Sequence, residues 1–261
     1  MLYAPGSSPR LLVKVFEAGA DAVIFDLEDA VAMQAKAEAR RLVTDVLEQL
    51  SSEPDPPVFV RVNAAGSGML EEDLAAITLP RLTGVKLPKV DGPDDVQRCD
   101  ALLGMLERER GIAGGSIALM LGIESAAGVE SIEAIARASS RTWCLAFGAE
   151  DFAADTGSDA TALATESLYA RSRMVIASRA AGIASPFDSV YPHLDRPQAL
   201  AAHARASRRL GFQHRWYNFA QVINILHKQD EQPGVRPGRH QSKMNIGYKT
   251  KRSLSANDEF S

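Results

Sequence analysis

Charged and amide side chains interrupt or follow several short apolar runs in this sequence. They are Asp26, Glu28 and Asp29 in FDLEDA, Arg61 and Asn63 in VRVN, Lys89 in LPKV, Glu124 in LGIES, and Glu150 and Asp151 in FGAEDF. Carboxylates gathered in one concave site repel one another and raise each other's pKa unless a cation neutralises them. A hard divalent cation fits this set, because the sequence offers no cluster of His or Cys for zinc. We therefore predict a Mg²⁺ site.

Glu124 and Asp151 are the best candidates for direct metal ligands. Each follows a long apolar run, and the Gly148 and Ala149 backbone before Asp151 allows a ligand to approach closely. Arg61 has the fork geometry that clamps a carboxylate with two hydrogen bonds. Metal and Arg61 together would hold a 2-oxo acid by its carboxylate and keto oxygens. Such a site stabilises an enolate, the species that aldol or Claisen cleavage produces.

These residues also have structural interpretations. An Asp or Glu at the end of a strand often caps the next helix, so no single carboxylate establishes a site. The coincidence of charged residues on several predicted strands favours a functional set. Lys89 is either a Schiff-base nucleophile or a counter-ion of the Asp26, Glu28 and Asp29 cluster, and we favour the counter-ion.

The elements that must position these residues alternate along the chain. Short apolar runs predict strands at 2–4, 22–27, 58–62, 84–90, 116–123, 142–147, 187–191 and 215–219. Helical patterns begin near residue 8 and recur at 34–50, 71–77, 93–110, 128–139, 163–181, 197–210 and 220–227. About eight βα units of this kind predict an α/β fold, a single-domain (β/α)₈ TIM barrel over residues 1–227. An open doubly wound sheet is the alternative, although no G-x-G-x-x-G follows the first strand.

Composition narrows the class of protein. The 261 residues carry a formal net charge of -4, which gives no reason to expect a nucleic-acid partner. No apolar run reaches the roughly 18 residues that span a bilayer, and no targeting segment is visible, so we expect a cytoplasmic protein. The cysteines, Cys99 and Cys144, are expected to be reduced core thiols. Residues 228–261 are basic and lack helical periodicity, which predicts a disordered tail.

The ordered motifs resemble the citrate lyase β-subunit family, which includes malyl-CoA and citramalyl-CoA lyases. The stretches that carry the resemblance are LYAPGSSP (2–9), GADAVIFDLEDAV (19–31), VFVRVN (58–63), GVKLPKV (84–90), GIESAAGV (122–129), LAFGAEDFAADTG (145–157), LYARSRMVIASRAAGI (168–183) and DSVY (188–191). They follow the family's order along most of the chain. The resemblance is therefore more specific than any one motif.

The resemblance implies a Mg²⁺-dependent carbon–carbon lyase on a TIM barrel. It implies Glu124 and Asp151 as metal ligands and Arg61 at the carboxylate of an oxaloacetate-, glyoxylate- or pyruvate-like fragment. Glu28 and Asp29 join Arg61 in the implied catalytic set, as groups that orient Arg61 or metal-bound water. The substrate-binding set is Arg61, Lys89 and the Gly148 and Ala149 backbone. The implied partners are a small 2-oxo acid, an acyl-CoA and further copies of the chain in a homotrimer or a related oligomer.

The C-terminal region departs from the family pattern. Family members have a Cys-Ile-His-Pro-like step after the eighth strand, where this chain reads RWYNFAQVINILH (215–227). In relatives this region covers the site or supplies a catalytic acid to a neighbouring subunit. Two alternatives to an acyl-CoA lyase therefore stay open. One is an aldolase acting on free hydroxy-oxo acids, and the other is a non-catalytic homologue that binds metal and a 2-oxo acid.

Overall fold

The structure is a computed structural model that describes residues 1–50, 56–159, 165–190, 197–215 and 217–218. The helix predicted at 220–227 and the basic tail predicted at 228–261 lie outside the described residues. No helix in the described ranges combines the length and the apolar character that crossing a membrane requires.

The strands are short and all of their pairings are parallel. They are β1 (Leu2–Pro5), β2 (Val23–Asp26), β3 (Val58–Arg61), β4 (Gly84–Leu87), β5 (Ala118–Ile123), β6 (Thr142–Phe147), β7 (Phe187–Asp188), β8 (His214–Arg215) and β9 (Tyr217–Asn218). Among the described residues they form one sheet in the order β8-β7-β6-β5-β4-β3-β2-β1-β9. The runs rich in β-branched and aromatic residues that predicted strands thus do form strands. Most of the observed strand boundaries lie within one or two residues of the predicted ones.

Helices follow each strand from β1 to β7. They are α1 (Pro9–Lys14), α2 (Lys36–Gln49), α3 (Leu70–Ile77), α4 (Pro93–Glu109), α5 (Ala126–Glu130), α6 (Ile132–Arg137), α7 (Ala149–Thr156), α8 (Leu168–Ala181) and α9 (Pro197–Leu210). Short 3₁₀ helices lie at Val15–Ala18, Met33–Ala35 and Ala65–Ser67.

Strands β1 to β7 lie side by side in chain order. A doubly wound sheet reverses its strand order at a switch point, and no reversal occurs among these strands. The result is a parallel α/β fold with a curled sheet. Its two outermost strands, β8 beside β7 and β9 beside β1, are separated in the chain by residue 216 alone.

The alternation of side chains along each strand creates two apolar layers. One face of the strands packs against the helices through residues such as Phe25, Val60 and Leu121. The opposite face forms an inner cluster that includes Ile24, Phe59, Met120, Cys144 and Phe187. Because parallel strands expose both faces to covering layers, these runs are apolar throughout.

Three helix predictions need correction. The predicted helix at 128–139 is two helices, with Ser131 between α5 and α6. The helix predicted from 163 begins at Leu168, and the sequence prediction missed α7 altogether. Helix α7 is only eight residues long, because Gly157 ends it in the left-handed conformation (φ 66°). So short a segment has too little periodicity to be recognised.

Both cysteines are buried and unpaired, as predicted. Burial raises the pKa of Cys99 to about 12 and that of Cys144 well above its ordinary value. Both side chains therefore remain neutral thiols near neutral pH and pack as small apolar groups.

Candidate functional site

The parallel register brings three charged residues of the inner face into one row. Asp26 lies opposite Arg61, and Arg61 lies opposite Lys86. Asp26 and Arg61 end their strands, so the row lies near the carboxyl ends of β2, β3 and β4. In barrels and related folds this end of the strands carries the chemistry.

Asp26 holds Arg61 in a bidentate ion pair. Arg61 Nε donates to Asp26 Oδ1 at 2.7 Å, and Nη2 donates to Oδ2 at 2.6 Å. The Tyr3 ring lies beneath the guanidinium, 5.3 Å from Cζ to the ring centroid. Burial alone would raise the pKa of Asp26, but Arg61 and the backbone N–H groups of Glu28 and Ala30 hold it below 3.8.

Glu28 and Asp29 surround the outer edge of Arg61 and also contact Lys89. Arg61 Nη1 lies 2.9 Å from Glu28 Oε2 and 3.2 Å from Asp29 Oδ2. Lys89 Nζ lies 2.9 Å from Glu28 Oε1 and 3.4 Å from Asp29 Oδ1. Burial raises the pKa of Glu28, while the charges of Arg61 and Lys89 oppose that rise. The prediction that Lys89 is a counter-ion of this cluster is thus confirmed.

Lys89 has an uncommon backbone conformation that aims its side chain into the cluster. Its φ is 50°, a left-handed value that costs free energy in a residue with a Cβ. Its Nζ also lies 3.8 Å from Asp151 Oδ1. Burial would lower the pKa of Lys89, but Glu28, Asp29 and Asp151 raise it, so the ammonium stays charged.

Glu124 follows β5 and is buried, with 3% of its surface exposed. Its Oε1 lies 3.3 Å from Lys86 Nζ. Its Oε2 is buried and has no hydrogen-bond partner in the described structure. Two glycines make room for this side chain: a Cβ at Gly122 would lie 2.5 Å from Oε1, and a Cβ at Gly148 would lie 2.6 Å from Cγ.

Asp151 lies in the first turn of α7 rather than at the end of a strand. The positive end of the helix dipole favours a carboxylate there. Burial raises the pKa of Asp151, and the charge of nearby Glu124 raises it further against the opposing effect of Lys89. The two predicted metal ligands therefore lie close enough to interact electrostatically, although they come from different elements.

The donor set of this pair suits Mg²⁺. A buried carboxylate oxygen without a partner, Glu124 Oε2, needs a cation or a donor to offset its desolvation. Among the described residues no group of three or more His, Cys, Asp or Glu side chains could hold a metal ion. Mg²⁺ commonly uses one or two carboxylates and completes its octahedron with water and substrate oxygens. Glu124 and Asp151 meet that requirement.

Two residues of the predicted set lie elsewhere. Asn63 is buried beside the site, where it accepts a hydrogen bond from Lys36 Nζ and donates to Asp73. Glu150 is exposed in the first turn of α7. Both residues follow a strand in the sequence, but no ion pair or hydrogen bond joins their side chains to Asp26 or Arg61 among the described residues.

Three residues that build the site are not among those predicted from the sequence. Lys86 and Tyr3 lie on the inner face of β4 and β1, and Lys36 donates to the carbonyl oxygens of Leu27 and Glu28. Lys86 carries a signal that could have found it, because a lysine flanked by Val85 and Leu87 interrupts a strand otherwise buried on both faces. Such a residue needs an acidic partner inside the fold.

Comparison with known proteins gives the family. A family model described as HpcH/HpaI aldolase/citrate lyase matches residues 1–218. Citrate lyase subunit β of Escherichia coli K12 is 34% identical over 87% of this chain and 74% of its own length. L-malyl-CoA/β-methylmalyl-CoA lyase of Cereibacter sphaeroides is 32% identical over 82% of this chain and 73% of its own length. These homologues are lyases.

Solved structures agree with the sequence comparison. The citrate lyase β subunit from Mycobacterium tuberculosis, complexed with oxaloacetate and magnesium, has a TM-score of 0.67 and 26% identity. The match covers 87% of this chain and 94% of the Mycobacterium tuberculosis chain. Haloferax volcanii malate synthase, at 18% identity, shares the fold with a TM-score of 0.75 over 91% of this chain and 74% of its own. This chain belongs to the HpcH/HpaI aldolase/citrate lyase family of lyases.

Proposed function

We propose that this protein is a Mg²⁺-dependent carbon–carbon lyase that cleaves a hydroxyacyl-CoA to an acyl-CoA and a 2-oxo acid. Malyl-, citramalyl- and citryl-CoA are the substrate candidates. The observation that carries the proposal is Glu124 Oε2, a buried carboxylate oxygen without a hydrogen-bond partner among the described residues. The charge of Glu124 also raises the pKa of Asp151, so the two carboxylates interact. Relatives crystallised with magnesium and oxaloacetate or pyruvate support the choice of metal and acid.

Arg61 is the group that recognises the acid. Asp26 and Asp29 accept hydrogen bonds from three of the five N–H groups of its guanidinium. The remaining N–H groups are oriented by these bonds and would donate to the substrate carboxylate. Glu28 and Asp29 act as positioning residues, because they fix the outer edge of the guanidinium. Arg61 needs no reorganisation when the substrate arrives, which favours the reaction.

The reaction breaks the bond between the hydroxyl-bearing carbon and the α-carbon of the thioester. The hydroxyl loses its proton and becomes the keto group of the 2-oxo acid, and the bonding electron pair passes to the thioester as an enolate, which is then protonated. Glu124 and Asp151 would hold Mg²⁺, which supplies Lewis acidity where negative charge develops. Lys89 and Arg61 add positive charge on the same side of the site. The N–H group of Ala149, at the start of α7, would donate to the anionic substrate. Gly148 contributes a backbone without a side chain beside it, since its own N–H donates to Ile123 O at 3.2 Å.

The sheet closes, in this proposal, into the complete (β/α)₈ barrel. The support is the pairing of β8 with β7 and of β9 with β1, since the two short strands are nearly continuous in the chain. Closure places the row of Asp26, Arg61 and Lys86 inside the barrel, near the carboxyl ends of its strands. We also propose that the protein is cytoplasmic and forms a homotrimer. Light scattering coupled to size-exclusion chromatography would measure the oligomeric state.

The proposal is tested by a coupled assay for 2-oxo acid release from a panel of hydroxyacyl-CoA esters, with and without EDTA. We expect release that EDTA abolishes and added Mg²⁺ restores. Glu124→Gln and Asp151→Asn should each lower kcat/KM by about 100-fold or more, because each removes charge from a metal ligand. Glu109→Gln, an exposed control, should leave kcat/KM unchanged.

Three other results would contradict the proposal. Activity that resists EDTA would remove the metal from the mechanism. Cleavage of free hydroxy-oxo acids in preference to every CoA ester would identify an aldolase. Binding of Mg²⁺ and oxaloacetate by calorimetry, without cleavage of any substrate in the panel, would identify a non-catalytic homologue.

A further inference from the structure

Lys86 is a buried lysine that contacts Oε1 of Glu124, one of the two predicted metal ligands. It lies on the inner face of β4, opposite Arg61 on one side and Met120 on the other. Its side chain is 6% exposed, and its Nζ lies 3.3 Å from Glu124 Oε1. Burying an ammonium ion is costly unless a charged partner compensates it. The contact with Glu124 provides that compensation.

The two oxygens of Glu124 therefore have different surroundings. Lys86 contacts Oε1, whereas Oε2 is buried without a hydrogen-bond partner. The carboxylate occupies space that a side chain at Gly122 or Gly148 would fill, since a Cβ at Gly122 would lie 2.5 Å from Oε1 and a Cβ at Gly148 would lie 2.8 Å from Cδ. One oxygen is fixed by an ammonium group and the other remains for an incoming cation.

Tyr3 contacts the ammonium group of Lys86 through its ring and its hydroxyl group. The ammonium lies 5.9 Å from the centroid of the Tyr3 ring, and the Tyr3 hydroxyl hydrogen-bonds with Lys86. Because Tyr3 also lies beneath Arg61, one buried side chain supports both the acid-binding residue and the lysine behind the metal ligand. Lys86 is thus restrained by Tyr3 as well as by Glu124.

We propose that Lys86 determines metal specificity by restricting Glu124 to one-oxygen coordination through Oε2. Mg²⁺ requires a compact octahedron and accepts single carboxylate oxygens, whereas Ca²⁺ takes six to eight ligands and readily accepts both oxygens of one carboxylate. A glutamate whose second oxygen is held by an ammonium group favours Mg²⁺ over Ca²⁺. This inference rests on the proposed metal site and assigns Lys86 as a positioning residue.

The test compares the affinities for two metals in the same variant. Lys86→Met also removes a positive charge, which strengthens the binding of every dication, so the affinity for one metal alone does not isolate the effect. The ratio of Mg²⁺ to Ca²⁺ affinity largely cancels that shared effect. Isothermal titration calorimetry of the full-length protein with each metal measures the ratio without reference to turnover.

We expect Lys86→Met to shift the ratio at least fivefold toward Ca²⁺, because Oε1 then becomes available for two-oxygen binding. Lys86→Arg retains the charge and the donor and should stay within twofold of the wild type. A shift below fivefold in Lys86→Met, or a shift of twofold or more in Lys86→Arg, overturns the role of Lys86. Wild-type protein that binds neither metal overturns the proposed metal site itself, which is a separate failure.

Because Lys86→Met loses a buried ion pair on which folding can depend, a second measurement uses the unmodified protein. A crystal structure of the wild type with Ca²⁺ should show Glu124 bound through Oε2 alone, with Lys86 Nζ still at Oε1. Coordination of Ca²⁺ by both oxygens of Glu124 overturns the proposal.

Discussion

Asp26 and Arg61 form two parallel hydrogen bonds, 2.7 Å from Nε to Oδ1 and 2.6 Å from Nη2 to Oδ2. The parallel register of β2 and β3 places the two residues side by side at the ends of their strands. The pair fixes the plane of the guanidinium before any substrate binds. A fork–fork pair of this kind cannot be reproduced by an ammonium group.

Arg61→Lys should therefore impair both substrate binding and catalysis. Lysine keeps the charge but cannot contact Asp26 at two points while also reaching Asp29. We expect kcat/KM for 2-oxo acid release to fall by about 100-fold, a loss typical of a removed charge-stabilising donor. The exposed substitution Arg41→Lys is the matched control and should have no effect. Equal kinetics in the two variants would show that Arg61 does not contact the acid.

Gly148→Ala should weaken metal binding without straining the backbone. The φ of Gly148 is -107°, which alanine adopts readily, but the added Cβ would lie 2.6 Å from Glu124 Cγ. Glu124 must then move away from its present position. We expect Mg²⁺ affinity, measured by calorimetry, to fall at least tenfold, on the scale of other disturbed ligand positions.

Gly114→Ala is the control for that experiment. Gly114 is exposed, and a Cβ there would meet nothing within 4 Å. Its Mg²⁺ affinity should equal that of the wild type. If Gly148→Ala also binds Mg²⁺ like the wild type, Glu124 is not confined in the way the structure indicates.

Glu107 should contribute to stability and not to catalysis. It is fully buried on α4 and accepts hydrogen bonds from Arg141 Nη1 at 2.7 Å and Nη2 at 2.6 Å, and from the backbone N–H groups of Gly115 and Ile117. We expect Glu107→Gln to lower the free energy of unfolding by about 3 kcal/mol, since it leaves a buried guanidinium under-compensated. Urea unfolding measures this change.

The exposed substitution Glu38→Gln, which removes an ion pair with Arg41, is the matched control. It should change the unfolding free energy by less than about 1 kcal/mol. The kcat of folded Glu107→Gln should match the wild type, because Glu107 contacts the segment that enters β5 at the end opposite the site. A stable Glu107→Gln variant with reduced kcat would contradict both statements.

The stabilising effect of Glu107 should depend on pH. Burial alone would raise the pKa of Glu107, but Arg141 and the two backbone N–H groups hold it below the ordinary value of 4.5. A carboxyl with a depressed pKa stabilises the folded state fully above its unfolded pKa and loses that effect as the pH falls through its folded pKa. The gap in unfolding free energy between wild type and Glu107→Gln should therefore be constant from pH 7 to about 5 and shrink below 4.5. A gap that widens in acid would show the opposite sign of the shift.

Part of the site could be predicted from the sequence because a charged residue at the end of an apolar run marks the end of a strand. Arg61 and Asp26 terminate apolar runs, and the pairing of Lys89 with Glu28 follows from charges that must meet at one edge of a parallel sheet. Residue types at strand ends therefore carry positional information. This is why the strands and the cluster around Arg61 were predicted close to where they lie.

Lys86 and helix α7 were missed for different physical reasons. A lysine within a buried strand signals a buried charge, but Lys86 is separated from Glu124 by 38 positions, and nothing local shows which carboxylate it meets. Asp151 was placed at a strand end because α7 is too short to show a helical period. Contacts between segments that are distant in the chain are invisible to local patterns.

The most direct measurement of the central claim is a crystal structure of the protein with Mg²⁺ and oxaloacetate. Our account predicts an octahedral ion at about 2.1 Å from Glu124 Oε2 and from a carboxylate oxygen of Asp151, with Arg61 donating to the carboxylate of the ligand. An ion bound elsewhere, or Glu124 Oε2 and Asp151 both without metal at saturating Mg²⁺, would contradict the account.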